Sequence, residues 1–474
     1  MPDMPCRLRL LRGVACSALL VSLAACSMAP DYHAPETASV PAFKEVPGWS
    51  AATPRDGEAR DGWWSAYGDP VLDGLERDAA SASPTLAAAL ARYDAARAAA
   101  GEARSDLFPT ITANGSYART RVSEGRPLSM GSAATYNDAI VGGGLSYELD
   151  LWGRIRNRTR AQFAEADARE GDLASARLSL QASVADAYFR LRGLDAEARL
   201  LDESVKAFSR AYDLTSTRHA GGIASGIDVN RAKTVLASAQ ALVADNANRR
   251  AATEHELAAL TGAIASQFSL AAQTTDFAAN PLALPTGTPS ALLERRPDIA
   301  AAERRVFAAN AQIGVARAAY FPSLTLDGSG GWRATDGNLL TTPNTFWGLG
   351  PIASVLTLFD GGRRKSQVRM ARADYEEVTA NYRETVLGAF REVEDALAAG
   401  NHLAAQSVSQ AEAADAAQRT SEIAMSRYRD GATDYLDVVT AQTDALSAQR
   451  ALILVETQRM QASVALVRAL GGSA

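Results

Sequence analysis

The stretch PTLAAALARYDAARAAAGEARSDLFP (84–109) returns 213 residues later as PDIAAAERRVFAANAQIGVARAAYFP (297–322). Ala88, Ala89, Arg92, Ala95, Ala96, Gly101, Arg104, Phe108 and Pro109 recur as Ala301, Ala302, Arg305, Ala308, Ala309, Gly314, Arg317, Phe321 and Pro322. So many matches at one offset mean duplication, and a duplicated chain repeats its architecture. Further on the offset becomes 209: Gly153, Arg154, Arg218, Gly222, Asp228 and Gly262 recur as Gly362, Arg363, Arg427, Gly431, Asp437 and Gly471. The first copy therefore holds four extra residues between Pro109 and Gly153.

Working outward, each copy reads helix, two strands, long helix, tight break, helix. An Ala-rich helix is expected from Pro84 to about Leu107, ending before a proline as helices tend to. The period then switches to two. Ala139, Val141, Leu145, Tyr147, Leu149 and Leu151 share one parity, against Ser146, Glu148 and Asp150 with Gly142 and Gly144 on the other. In the second copy Leu324, Leu326 and Trp332 alternate with Thr325, Asp327, Ser329 and Arg333. Apolar-out, polar-in alternation over about ten residues is what a tilted membrane strand needs. The stretch 346–359 is less regular, since Leu356 and Leu358 fall on one parity and Val355 and Phe359 on the other. The hairpin tips, 123–137 and 335–345, are loops rich in Gly, Ser, Thr, Asn and Pro.

From Arg154 the period lengthens to 3.5. Leu180, Val184, Ala187, Leu191, Leu194, Ala198, Leu201, Val205, Phe208 and Tyr212 form a heptad seam, the pattern of left-handed coiled-coil packing. A helix from Arg154 to about Arg218 is on the order of 100 Å long, too long for a compact globular domain. A break at 221–226 precedes a return helix, Asp228 to Leu260, and the matching break is Asp430-Gly431-Ala432-Thr433-Asp434.

The 474 residues are 47% hydrophobic and 22% charged, enough for a large core. The net charge of −6 argues against a nucleic-acid binder, which needs a basic face. No apolar run of 18 residues occurs outside the first 25, which excludes a polytopic helical transporter. At the N-terminus, Arg7, Arg9 and Arg12 precede an apolar stretch from Val14 to Ala25, the layout of a secretory leader. It ends in Leu23-Ala24-Ala25-Cys26, which looks like a bacterial lipobox with Cys26 lipidated. Ser27 follows, and the absence of Asp there suggests outer-membrane sorting by resemblance to other bacterial lipoproteins. Cleavage removes Cys6 and Cys16, so the mature chain can form no internal disulfide, and its net charge becomes −8. No metal or other cofactor is expected beyond that covalent lipid.

Two strands per copy give four per chain. Four strands cannot close a barrel, and open edges in lipid leave unpaired backbone groups. Two chains give eight strands and a bore filled by side chains, whereas three give twelve and leave a passage. The polar strand faces favour the wetter option, a homotrimer.

The sequence as a whole resembles the TolC-type outer-membrane efflux family. The resemblance rests on Arg295-Arg296-Pro297-Asp298-Ile299, residues 309–324, Leu358-Phe359-Asp360-Gly361-Gly362-Arg363, Trp63-Trp64, Asp69-Pro70 and Tyr435-Leu436-Asp437-Val438. With the lipobox it is most similar to the lipoprotein branch that serves resistance-nodulation-division pumps. The resemblance implies a mixed α+β membrane protein, internally duplicated. Four strands per chain would enter a trimeric 12-stranded outer-membrane β-barrel, and long coiled-coil helices would form a periplasmic α-helical barrel. It further implies an exit duct of a tripartite efflux pump, conducting small molecules and drugs passively. Its partners would be outer-membrane lipid, a periplasmic adaptor (membrane fusion) protein and an inner-membrane pump.

On this reading 1–25 is the signal peptide and 26–62 a lipid-anchored extended segment. Repeat 1 spans 63–262, with a β-hairpin at about 110–151 and a helical tip at about 219–227. An equatorial linker covers 263–289. Repeat 2 spans 290–471, with its β-hairpin at about 323–359 and its tip at about 428–436.

The resemblance places function at the helical tips. Arg218, Gly222 and Ser225 in the first tip, with Arg427, Gly431 and Thr433 in the second, are the expected adaptor-docking surface. Asp437, Asp228 and Asp434 are the aperture candidates. Three copies of Asp437 around a narrow opening would favour cations and could be held shut by Arg or Tyr from neighbouring helices. A simpler reading stands beside this one: Asp at a helix start is a good N-cap, worth about 1 kcal/mol, and the glycines permit the turn. Trp63, Trp64 and Tyr67 are expected to pack, and Arg295-Arg296-Pro297-Asp298 to shape a helix start.

Other functions fit less well. His255-Glu256 lacks the second histidine of a zinc-protease helix, and Gly328-Ser329-Gly330-Gly331 lacks the Gly-Lys-Ser/Thr of a phosphate loop. No enzyme is expected. A periplasmic adaptor would carry one helical hairpin, not two. The outer-membrane duct of a type I protein-secretion system shares the fold and is the alternative.

Overall fold

The computed structural model describes residues 27–36, 44, 62–125, 133–273, 280–282, 296–335 and 339–472. Cys26, the leader before it and most of 274–289 lie outside those residues. After a short 3-10 turn at Trp63–Tyr67 the chain forms α1 (Pro70–Ala82), α2 (Pro84–Ser105), β1 (Thr110–Val122), β2 (Ala134–Glu148), α3 (Arg154–Ala220) and α4 (Gly226–Leu260). The second copy supplies α5 (Pro297–Ala318), β3 (Ser323–Ala334), β4 (Thr345–Val355), α6 (Arg363–Arg429) and α7 (Tyr435–Ala469). The duplication is kept to the residue in the helices: α3 and α6 each have 67, α4 and α7 each have 35. No helix among the described residues is long and apolar enough to cross a membrane.

The four strands make one antiparallel sheet in the order β1-β2-β3-β4, so β2 and β3 join the two copies and β1 and β4 are its free edges. Residues directly opposite in an antiparallel pair share a face, so the register sorts the side chains. Tyr117 lies opposite Ala139, Val141 opposite Trp332 and Tyr147 opposite Leu326, which gathers the apolar parity of β1, β2 and β3 onto one face. Asp138, Glu148, Asp327 and Arg333 lie on the other, where Arg333 forms a bidentate pair with Asp138 at 2.7 and 2.9 Å.

Two details differ from the alternation read in the sequence. Strand β2 ends at Glu148, leaving Leu149 with a single further backbone bond to Leu324 and Leu151 outside the ladder. Strand β4 ends at Val355, so Leu356 to Phe359 are not part of it. Within β4, Leu326 pairs with Ile352 but Gly328 with Leu349, so three residues of β4 span two of β3. Pro351, which cannot donate to a ladder, sits in this bulge. The extra residue flips the parity, so Trp347 and Leu349 on one side of it share a face with Ile352 on the other. The residues that broke the period in the sequence, Leu356, Leu358 and Phe359, lie past the end of the strand, so their alternation against Val355 is not that of a ladder.

The chain divides into two compact units, with boundaries inside α2, α3, α5 and α6. One unit is built from Arg92–Glu170 and Ala301–Tyr382 with residues 27–36. It holds the sheet, and in it 27–36 lie along α5. The Tyr32 ring meets Phe307 edge-on at 5.0 Å, its hydroxyl donates to Glu303, and Asn310 donates to the Pro30 carbonyl at 2.9 Å.

The other unit contains Gly171–Ala300 and Arg383–Ala474 with 62–91. Its core is the heptad seam. Leu180, Val184, Ala187 and Leu191 are buried with Leu257 of α4 and Met460, Val464 and Val467 of α7, while Leu201 and Phe208 bury with Ala239 and Leu446. Each such Leu, Val, Met or Phe side chain contributes about 1.5–3 kcal/mol on leaving water. Trp63 is buried in the same cluster, with Trp64 and Tyr67 packed on it. Asp69 caps α1, accepting from Val71 at 2.9 Å, and takes the Tyr188 hydroxyl as well. Pro297 opens α5 and Asp298 lies in its first turn. Arg296 adds a tie that the sequence did not suggest. It pairs with Asp298 and with Glu392, both at 2.8 Å, and donates to the Ala469 carbonyl at 3.1 Å, joining the start of α5 to α6 and α7.

Candidate functional site

The ends of the two helical hairpins lie together in one unit. Helix α3 stops at Gly222 (φ 76°) and α6 at Gly431 (φ 77°), both in the left-handed region that other residues avoid. The closures are alike. Ile223 N–H donates to the Arg218 carbonyl and Ala432 N–H to the Arg427 carbonyl, each at 2.8 Å, the long bond of a Schellman C-cap. Gly222 and Gly431 are thus turn-formers first.

The return helices start from side-chain caps. Ser225 Oγ accepts from Asp228 N–H at 3.2 Å while an Asp228 carboxylate oxygen accepts from Ser225 N–H at 3.2 Å, a reciprocal capping box. Arg231 stands 3.9 Å from Asp228. In the second tip Asp434 is the N-cap, accepting from Asp437 N–H at 3.1 Å, and Thr433 Oγ1 donates to the Asp437 carboxylate. Asp434 and Asp437 are exposed, whereas Asp228 is half-buried. Acidic groups at both helix starts also oppose the positive dipole ends.

The two tips are not equivalent in their contacts. The Arg218 guanidinium crosses from the first hairpin to the second and donates to the carbonyls of Tyr428 and Arg429, both at 2.8 Å. Those are carbonyls in the last turn of α6, of the kind a helix end leaves without intrahelical partners. The guanidinium carbon also lies 4.6 Å above the Tyr428 ring. Arg218 therefore serves as a C-cap supplied by the other hairpin, not as a free surface cation. Arg427, its counterpart in the repeat, is exposed, and its side chain makes no hydrogen bond or ion pair among the described residues.

Beneath Arg218 lies a small core of which the sequence reading named only Tyr435 and Val438, as part of a motif and not as packing. Tyr428 and Tyr435 meet edge-on at 5.3 Å and are buried with Ala211, Ala232 and Val438. The Tyr428 hydroxyl is 3.4 Å from that of the buried Thr215. Burial, with Tyr428 and Asp228 nearby, pushes the Tyr435 hydroxyl up to about 12, so it stays protonated and can only bridge by hydrogen bonds. The signal was in the repeat: at the 209 offset Tyr428 stands where the first copy has His219, and Tyr435 where it has Gly226. The second tip thus carries both rings, and the first offers Arg218 to cover them. No group of three or more His, Cys, Asp or Glu side chains among the described residues is placed to hold a metal ion.

A strand sheet with one apolar face, joined to paired 67-residue helices, is the frame of an outer-membrane channel that extends into the periplasm. Comparison with known proteins agrees. Residues 75–263 and 288–472 match the outer membrane efflux protein family, one match per copy of the repeat. The chain is 34% identical over 454 residues to the antibiotic efflux pump outer membrane protein ArpC of Pseudomonas putida, covering 95% of this chain and 93% of that one. It is 33% identical over 466 residues to outer membrane protein OprJ of Pseudomonas aeruginosa, covering 97% and 95%. The crystal structure of the Campylobacter jejuni CmeC outer membrane channel superposes with a TM-score of 0.87 at 26% identity, over 94% of this chain and 95% of that one. The chain belongs to the outer membrane efflux protein family. It is the outer-membrane exit duct of an efflux pump, and it works by conduction.

Proposed function

We propose that three copies of this chain close one twelve-stranded barrel, and that the hairpin ends form its periplasmic aperture. The observation that carries the reading is the pair of free edges, β1 and β4, on a sheet whose one face is apolar. In lipid each unpaired backbone group costs several kcal/mol, so the edges must meet those of other copies. Twelve strands leave a passage, and the polar face with Asp138, Asp327 and Arg333 would line it. The detergent-corrected mass of protein extracted from outer membranes tests this: three mature chains are expected, and a monomer released without detergent overturns it.

At the aperture, Asp437 and Asp434 are exposed and would recur three times around the opening, with Asp228 held in its cap. Arg218 would hold the two tips of each copy together. Gly222, Ser225, Arg427, Gly431 and Thr433 present the surface to which a periplasmic adaptor and, through it, a resistance-nodulation-division pump would dock. Lipidation of Cys26 would add an anchor beside the barrel. Energy would come from the pump, since the duct itself only conducts. Asp437→Ala is expected to give a leakier, less cation-selective channel in planar bilayers. Unchanged conductance and selectivity would leave Asp437 as a helix-start residue only.

A further inference from the structure

We propose that Arg119 and Arg121 form a binding site for the phosphates of lipid A in the outer leaflet of the outer membrane. The proposal rests on the barrel reading for which face meets lipid. On β1 the apolar face carries Ile111 and Tyr117, 77% and 71% exposed, and the same parity continues into Arg119 and Arg121. The register confirms the side: Arg119 lies opposite Asn137 and Arg121 opposite Thr135, two and four residues beyond the Tyr117–Ala139 pair. The arginines are therefore on the lipid-facing surface, about 7 and 13 Å past Tyr117 along the strand.

The depth follows from the chain direction. Strand β1 leaves the helices at Thr110 and runs toward the β1–β2 turn, so its far end is the outer one. Tyr117, Trp332 and Trp347 on the same face mark the aromatic belt where hydrocarbon gives way to headgroups. Arginines just beyond such a belt stand at the level of the lipid phosphates, for which the guanidinium fork is geometrically suited.

Both side chains are exposed, and neither makes a hydrogen bond or ion pair among the described residues. Asp138, the acid on the adjoining strand, faces the other way and is taken by Arg333. In a closed ring β1 would meet the β4 edge of the next copy; residues 339–355, which hold β4 and the later part of the turn before it, include no charged side chain, and Asp336, earlier in that turn, lies outside the described residues. Glu124, three residues past Arg121 in the turn, is the nearest acid in the chain. A cationic pair on a lipid face, without a paired protein anion among the described residues, calls for a lipid anion, and lipid A carries two phosphates on one rigid disaccharide.

The test measures bisphosphorylated lipid A binding to the full-length trimer in dodecyl maltoside, by native mass spectrometry and titration. R119A/R121A is expected to weaken binding by about tenfold or more, and R119K/R121K by no more than about threefold. Phosphate-free lipid A should bind the wild type as weakly as bisphosphorylated lipid A binds the double alanine variant, and inorganic phosphate should not displace the lipid. Equal binding by wild type and double alanine variant overturns the proposal, as does equal binding of the two lipids. If the double variant does not assemble, R119Q and R121Q measured singly decide the matter. A wild-type chain that fails to form trimers overturns the barrel reading itself, whereas a wild-type trimer indifferent to both arginines overturns only the lipid site.

Discussion

Replacing Arg218 by alanine removes a contact whose size can be worked from its geometry. The guanidinium makes two hydrogen bonds of 2.8 Å to carbonyls at the end of α6 and covers the Tyr428 ring at 4.6 Å. A hydrogen bond to a charged group is worth about 1.5–3 kcal/mol when desolvated, and the bond to Arg429 is solvent-exposed, so about 1 kcal/mol is the fairer figure there. The ring contact adds about 0.5–1 kcal/mol. Competition from water and the entropy of a long side chain reduce the total to about 2–3 kcal/mol holding one tip to the other. At 1.4 kcal/mol per factor of ten, that shifts a tip-apart population by about thirty- to a hundredfold.

R218A should therefore raise the open probability of the purified channel in planar bilayers and speed hydrogen exchange at 428–435, with little change in the melting temperature. R218K keeps the charge but loses the fork, and should recover part of the effect. The control is R419A, which breaks only an exposed pair with Asp415 on the surface of α6. An R218A channel with wild-type conductance and wild-type exchange at 428–435 would refute the reasoning.

Glu76 predicts a pH dependence. It is fully buried on α1 with no hydrogen-bond partner for either oxygen among the described residues, and burial, with Asp73 nearby, pushes its carboxyl up to about 9 from an ordinary 4.5. The folded chain thus keeps a proton that the unfolded chain releases, and stability is lost as pH climbs from about 4.5 toward 9. Glu76→Gln should flatten that slope in melting scans between pH 5 and pH 9; parallel slopes would mean that Glu76 does not set it. Gly193 predicts a steric test between α3 and α7. A Cβ there would stand 2.1 Å from Thr457 Oγ1, so Gly193→Ala should cost about 1–3 kcal/mol in denaturant unfolding. Adding Thr457→Ala should return most of it, and an unrescued double variant would show that the crowding lies elsewhere.

What was legible in the sequence was whatever repeats along the chain. The 213 and 209 offsets carry the duplication, and the parity of Leu145 and Tyr147 or Leu326 and Trp332 gives the sheet a face before any strand is paired. The seam from Leu180 to Tyr212 shows which side of α3 buries. Contacts that join residues far apart leave no period. Arg218 and Tyr428 are separated by 210 positions, and nothing in either neighbourhood says that one caps the other. The irregularity at 355–359 came from reading the strand past its end at Val355, while the bulge at Pro351, where one added residue exchanges the two faces, was not among the residues that reading weighed. Helix α1 passed unremarked because 13 residues offer fewer than four turns of pattern.

The duplication also turns the Arg218 contact into a statement about the next copy. Arg218 reaches Tyr428 and Arg429; their counterparts at the 209 offset are His219 and Ala220, and the counterpart of Arg218 is Arg427. If three copies stand in a ring, the first tip of one copy follows the second tip of its neighbour in the same sense as the second follows the first. Arg427 should then cap the last turn of α3 in the next copy, donating to the carbonyls of His219 and Ala220. That contact lacks the aromatic floor, because the first tip has His219, hydrogen-bonded to the Ala224 carbonyl at 2.8 Å, where the second has Tyr428. It should be the weaker link by about the 0.5–1 kcal/mol of the ring contact. The contacts within a copy would thus outlast those between copies, and opening would begin at the boundaries between protomers. R427A should raise conductance less than R218A, and a cysteine pair at 219 and 427 should crosslink between chains to give trimers on a denaturing gel. Crosslinking confined to single chains, or none, would refute the symmetry argument while leaving the Arg218 contact in place.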